Sequence, residues 1–271
     1  MRFMGRRRRL HGAAAARDDD ADPVEVDVVH IVDGATLRPR RPLDDRWFAD
    51  AGRVVARPAE VLDALGVDPA GVAAASLPVL VRRGVHEAEH GVIQDPAGSA
   101  VGAPRLRGGG ASGAIYGAFA DLRPIPAMAP GAAVGNASTG PGRRVLHSHS
   151  PSLQGDPRDE RARAAVLVAL GEAYANAVVA FAERAPELGD DGHELHLVPL
   201  SSSIYAGAFA RDEFASPHLD PSYTLVAVVA GFAWASTHGV EVPATTLAYF
   251  SADVFAVAQD RRRALAAALG R

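Results

Sequence analysis

What most constrains this chain is a grammar repeated through its second half: a short run of β-forming residues, then a long apolar stretch at helical spacing. Arg143 to Ser148 (RRVLHS) reads as a strand, and Asp156-Pro157 as the start of a helix, with Asp156 capping and Pro157 at the first helical position. Leu167, Leu170, Tyr174, Val178 and Phe181 keep one face of that helix apolar until Pro186 stops it. The pattern returns as a strand from Glu194 to Leu200 and an Asp220-Pro221 cap opening a helix with Leu225, Val228, Val229 and Phe232. It closes with a strand from Thr245 to Phe250 and an amphipathic helix from Asp253 to Leu269. Strands joined through helices of this length lie parallel. The predicted fold class is therefore α/β, a three-layer α/β/α sandwich with a mixed, mostly parallel sheet. Ligands in such folds sit at the C-terminal ends of the strands, so the loops there deserve the closest reading.

Two loops stand out. Gly108-Gly109-Gly110-Ala111-Ser112 runs into the apolar stretch Gly113 to Tyr116. Consecutive glycines let backbone approach a ligand, and a glycine loop feeding a helix points several N–H groups at one spot, which favours a phosphate or diphosphate. Pro199 to Gly207 (PLSSSIYAG) follows a predicted strand and forms the opposite wall of the same pocket. Its serines lack the G-x-S-x-G elbow of a nucleophile, and phosphate-facing hydroxyls are the better account.

The bulk numbers narrow the chemistry. A chain of 271 residues at 48% hydrophobic content can build a substantial core. A formal charge of −4 argues against a general nucleic-acid binder. There is no cysteine, which removes disulfides, thiolate chemistry and sulfur-ligated zinc; every one of the 28 basic residues is arginine, which removes the Walker A lysine and Schiff-base chemistry. With no apolar run long enough to span a bilayer and no secretory signal, no membrane partner is expected and the protein is expected to be cytoplasmic.

The first half is less regular. Residues 1–23 read as a disordered arm, basic at Arg6 to Arg9 and acidic at Asp18 to Asp20. The remainder, 24–271, reads as one domain. Val24 to Val32 is a strand ending at the turn Asp33-Gly34; a mostly helical insertion follows over about 40–88, within which Ser76 to Arg83 is ambiguous between strand and helix. Gly91 to Asp95 is a short buried strand and Ser112 to Asp121 a helix, after which Pro124, Pro126 and Pro130 break the pattern.

Two competing signals involve histidine. His86-Glu87-Ala88-Glu89-His90 fits the H-E-x-x-H string of zinc proteases, but Gly91 and a β-like run leave little helix to carry it, and a solvated turn is the simpler reading. His147 and His149 project from the same strand face, where hydrogen-bonded core histidines are favoured over a metal pair. No metal or other cofactor is expected.

The order of these motifs resembles the macro domain family, as a divergent, bacterial-type member. Gly108 to Ile115 (GGGASGAI) is similar to the family's glycine loop, Thr139-Gly140 with Val145 to Pro151 (VLHSHSP) to its V-I-H-x-x-x-P strand, and Pro199 to Gly207 to its S-T-G-I-Y/F-G loop, with Ser203 where a glycine is usual. The resemblance covers roughly 24–36 and 90–270. It implies a cleft for ADP-ribose or an ADP-ribosylated protein, its diphosphate held from two sides by Gly108, Gly109, Gly110, Ala111 and Ser112 and by Ser201, Ser202, Ser203, Ile204 and Tyr205. Asp33 stands near the family's adenine-selecting aspartate, though this chain reads Asp-Gly rather than Gly-Asp. Phe250 is open between stacking on the ligand and core packing. The family's catalytic sets are incomplete here: the expected asparagine, lysine, cysteine or paired glutamates are missing. Asp95 is the residue that could serve as general base in a mono-ADP-ribosyl hydrolase. A binder of another nucleotide diphosphate and an interaction module are the further alternatives.

Overall fold

Short β-branched runs flanked by glycine and proline become strands, and the long apolar stretches between them become helices. The computed structural model describes residues 31–67, 77–97, 110–203 and 205–271. Six strands form one sheet: β3 (Val79–Val81), β4 (Val92–Ala97), β5 (Ala133–Gly135), β6 (Val145–His149), β7 (Glu194–Leu197) and β10 (Ala244–Ala248), in the order β3-β10-β7-β4-β6-β5. All neighbours are parallel except β5, which runs antiparallel to β6 at one edge. Two smaller ladders lie outside it, β1 (Phe48–Ala49) with β2 (Val54–Val55) and β8 (Ala210–Arg211) with β9 (His218–Leu219).

Five α-helices pack on or beside this sheet: α1 (Pro58–Ala64), α2 (Gly110–Ala118), α3 (Glu160–Leu188), α4 (Pro221–Thr237) and α5 (Ala252–Ala268). α2 rests on β4, α3 on β5 and β6, and α5 on β3, while α4 lies against α3 and α5. This is the mixed, mostly parallel α/β sandwich that the alternation of strands and helices predicts. α4 is apolar on every side and buried almost throughout, as a helix of that composition must be. It approaches α3 closely where both lack a side chain. A Cβ at Gly231 would fall 2.6 Å from the Gly171 carbonyl oxygen and 2.8 Å from the Ala175 nitrogen.

Asp220 caps α4 as expected, accepting the Ser222 N–H at 2.9 Å, with Pro221 in the first turn. The start of α3 differs from expectation. Asp156 is committed to Arg158, taking its N–H at 2.9 Å and its guanidinium at 3.0 Å, and the helix begins later with Asp159 accepting the Arg161 N–H. Pro186 does not stop α3, which continues to Leu188; in the last turn a proline removes one N–H and little helix remains to be broken. By length and composition α3 could cross a membrane, but most of that stretch is buried against α4 and the sheet, as in a core helix.

The stretch 40–88 is, among its described residues, not dominated by helix. Its described residues hold α1, of 7 residues, short 3-10 turns, the β1–β2 ladder, and β3 as an edge strand of the main sheet. Nor is it peripheral: Val61, Leu62 and Ala64 are fully buried in the main core. Residues 1–23 lie outside the described residues, and of the strand expected over 24–32 only Ile31 and Val32 are described, Val32 forming one antiparallel bridge with Ala133.

Candidate functional site

Four adjacent parallel strands, β10, β7, β4 and β6, bring their C-terminal ends to one edge of the sheet, and the candidate loops follow from those ends. The Ser150 N–H donates to the Ala97 carbonyl at 3.1 Å and ties the ends of β6 and β4 together. Past β4 the chain re-enters the described residues at Gly110, which opens α2 with a φ of +70° in the left-handed region that favours glycine. A Cβ there would meet no atom of the described residues within 4 Å. Ala111 and Ser112 form its first turn, both half-buried. Gly108 and Gly109 lie outside the described residues, as does Ile204 in the second loop.

The second loop is pinned from beneath. The Tyr174 hydroxyl of α3 donates to the Val198 carbonyl at 3.0 Å and accepts the Leu200 N–H at 2.9 Å. Ser201 is buried with a φ of +54°, and its hydroxyl donates to the Pro151 carbonyl. The Ser201 hydroxyl thus gives its proton to the protein and shapes the loop. The carbonyls of Ser202, Ser203 and Tyr205 accept N–H groups from Leu219, Ala206 and Leu153 at 2.9, 2.9 and 2.8 Å. The N–H groups of Ser202 and Ser203 have no backbone acceptor among the described residues. Three of the loop's carbonyls are thus engaged by the protein, while these two N–H donors are not engaged by backbone.

Behind it, the β8–β9 ladder is anchored by charge. Asp220, with no exposure, receives Arg211 of β8 and Arg261 of α5, the latter at 3.2 Å. Asp253 accepts the Ala215 N–H at 2.8 Å; hydrogen bonds from the Ser251 hydroxyl and then from backbone N–H groups lower its carboxyl to about 2.

Phe250 stands two residues past the end of β10 and is 81% exposed, which rules out core packing. Asp33 is exposed beyond the Val32 bridge. Asp95, on β4, is fully buried, with its Oδ2 2.7 Å from His147 Nδ1. Its other oxygen, Oδ1, is buried without a partner. Tyr116 of α2 lies over this pair, its ring centroid 6.1 Å from that of His147. Burial, and then the Asp95 charge, push the Tyr116 phenol up to about 12, so it remains a neutral O–H donor. His147, Asn136 and Tyr116 complete this polar group, and the sequence reading assigned none of them a part in the site. The signal was the two-residue period of β6, which puts His147 on one face, but the partner strand's register was needed to set Asp95 beside it.

The H-E-x-x-H string lies at the opposite edge. His86 and Glu87 fall in a 3-10 turn of 3 residues, Val85–Glu87, not on an α-helix. Arg144 grips the backbone of the string, donating to the carbonyls of Ala88, Glu89 and Gly91 at 2.9, 2.8 and 2.8 Å. Among the described residues no group of three or more His, Cys, Asp or Glu could hold a metal ion.

No family model matches the sequence, and no curated protein matches it. Solved structures do align with it. The Trypanosoma brucei macrodomain in complex with ADP is similar at 15% identity with a TM-score of 0.43, over 72% of this chain and 73% of that one. A point mutant of the Oceanobacillus iheyensis macrodomain with ADPR aligns at 16% identity and a TM-score of 0.42, over 69% of this chain and 91% of that one. An alphavirus P23pro-zbd structure aligns at 17% identity and a TM-score of 0.41, over 71% of this chain; this chain spans only 24% of its length. By its own ordered motifs on a sandwich of the expected kind, the chain resembles a divergent macro domain.

Proposed function

We propose that this protein binds ADP-ribose, free or attached to a protein, along the C-terminal edge of its sheet. The observation that carries the reading is the second loop, where the carbonyls of Ser202, Ser203 and Tyr205 are engaged by the protein while the N–H groups of Ser202 and Ser203 have no backbone acceptor among the described residues, in a loop that follows β7 as the segment leading to α2 follows the adjacent β4. In a chain without lysine, a diphosphate must be held by such donors, by hydroxyls and by a helix N-terminus. Phe250 offers an exposed aromatic face beside them, suited to a base or a ribose. ADP-ribose joins these needs in one molecule: a diphosphate, a planar base and two sugars.

The test is calorimetric titration with ADP-ribose, with AMP and a sugar nucleotide as controls. Ser203→Glu, at an exposed loop position, brings a negative charge to the diphosphate and should abolish binding; binding that survives it would move the diphosphate elsewhere. Incubation with a mono-ADP-ribosylated protein separates a reader from a hydrolase. Asp95 Oδ1, buried and unpartnered, is the feature that favours the hydrolase, and there release of ADP-ribose should vanish in Asp95→Ala.

A further inference from the structure

The second loop is held at both ends, by different parts of the chain. Tyr174 fixes its start at Val198 and Leu200. Its far end turns through a short 3-10 helix, Gly207–Phe209, and there the holder is the β1–β2 hairpin. Arg53 of the hairpin donates from Nε to the Ala208 carbonyl at 3.0 Å. Phe209 is fully buried, its ring edge-on to Tyr223 of α4 with centroids 5.7 Å apart. Tyr223 in turn stands 6.2 Å from Phe48 of β1, and its hydroxyl donates to the Gly52 carbonyl at the hairpin tip. One aromatic residue thus joins the hairpin to the end of the loop.

The tip itself is strained. Asp50, Ala51 and Gly52 stand at φ of +49°, +50° and +87°, three successive residues in the left-handed region. Asp50 and Ala51 are exposed, so the burial of their side chains does not account for the strain. The contacts of the tip do. A Cβ at Gly52 would fall 1.7 Å from the Pro157 carbonyl oxygen, and the Val55 N–H donates to the Ser222 hydroxyl at 2.9 Å. Arg211 Nε of β8 is buried without a hydrogen bond, and the Asp50 carboxylate is set against it at 3.6 Å. Backbone strain persists only where its surroundings over-determine it, and it gathers at ligand clamps.

We propose that the β1–β2 hairpin is the positioning element of the second loop. Through Arg53 and Tyr223 it fixes the loop's far end, so that the Ser202 and Ser203 N–H groups already hold one direction when the ligand arrives. This rests on the ADP-ribose reading above and deepens it: the grip on the diphosphate is set from the stretch that the sequence alone reads as an insertion.

The test uses the full chain. Arg53→Met keeps the aliphatic stem and removes the donor, while Arg53→Lys keeps one. In the ligand-free protein, nitrogen-15 order parameters of the Ser202 and Ser203 amides should fall from about 0.85 to about 0.6 in Arg53→Met, with those of α3 unchanged. Calorimetry should show affinity for ADP-ribose about fivefold lower, the effect of one hydrogen bond felt through the loop. Arg53→Lys should restore both. Ala51→Val puts a β-branched residue where φ is +50°, loosens the same tip without altering Arg53, and should lower the same two order parameters.

Unchanged order parameters would overturn the proposal, because a contact that only stabilises the fold lowers the urea midpoint and leaves the native loop as rigid as before. Affinity lost at unchanged order would make Arg53 a direct ligand contact and overturn it too. So would a looser loop at unchanged affinity, since the grip would then not depend on the hairpin. If one variant does not fold, the other decides. A wild-type protein that binds no ADP-ribose would overturn the ADP-ribose reading, while the order parameters still decide whether the hairpin holds the loop.

Discussion

At the N-terminal edge of the sheet Arg144 places three nitrogens on three carbonyls, and His196 uses both ring nitrogens, one on the His90 carbonyl at 2.7 Å and one on the Thr246 hydroxyl at 2.7 Å. At the C-terminal edge Asp95 keeps a bare carboxylate oxygen, Ser202 and Ser203 keep N–H groups without backbone acceptors, and Phe250 stands in solvent. One sheet thus carries two treatments of polar groups. Where such groups find one another they are architecture, whatever motif they spell; where they stay bare, they await something from outside the chain. The backbone of the zinc-protease string, held by Arg144, falls on the first side of that line and the two loops on the second, although His86 Nδ1 of the string is itself buried without a partner.

The contrast can be broken by experiment. Its largest expected effect is Arg144→Ala, which strips three carbonyls of their donor and should cost about 3 kcal/mol of stability. Urea denaturation should show a lower midpoint, while the folded fraction retains its affinity for ADP-ribose; lost affinity at full stability would mean the edges are not separate. Phe250→Ala should do the reverse, weakening ADP-ribose binding by about 1 kcal/mol, in the range of an aromatic contact, without moving the melting temperature. A melting temperature that dropped would make Phe250 a structural residue.

The third effect depends on pH. Burial holds His196 below its ordinary value, against the opposing pull of Glu194. The unfolded chain takes up a proton near pH 6.5 that the folded protein resists, so this stability is present above that pH and is lost as the pH falls through the folded value. The slope is at most about 1.4 kcal/mol per pH unit, and His196→Gln should flatten it in melts between pH 7 and 5. A further effect is at Asp159, the cap the sequence did not reveal. Asp159→Ala should cost about 1 kcal/mol, while Asp156→Ala, at the expected cap, should cost much less.

That last pair shows what the sequence made legible. Asp220-Pro221 and Asp156-Pro157 are the same dipeptide and both accept the N–H two residues on at 2.9 Å, but only the first opens an α-helix; after the second the chain makes a turn and the helix begins beyond Asp159. The strand–helix alternation fixes the sandwich since each unit is local in sequence. β3 stayed ambiguous because three residues carry too little periodicity, and it is β10 that makes them a strand. The two loops were legible as glycine and serine runs, but the commitment of the Ser201 hydroxyl to Pro151 was not. The Asp95–His147–Asn136 line joins strands up to 52 positions apart, and Phe250 changes from core to surface with the exact end of β10. Register and strand termini are tertiary facts, and no local pattern encodes them.

The missing side chain at Gly231 has a consequence at a distance. It sets how far α3 stands from α4, and α3 carries Tyr174, whose single hydroxyl holds the second loop at Val198 and Leu200. The helix crossing works as a fulcrum and Tyr174 as the tip of the lever. One added methyl at position 231, buried and remote from any ligand, would lift the tip and widen the cleft. A change in grip at the surface can therefore be written into the sequence at a residue no ligand ever touches.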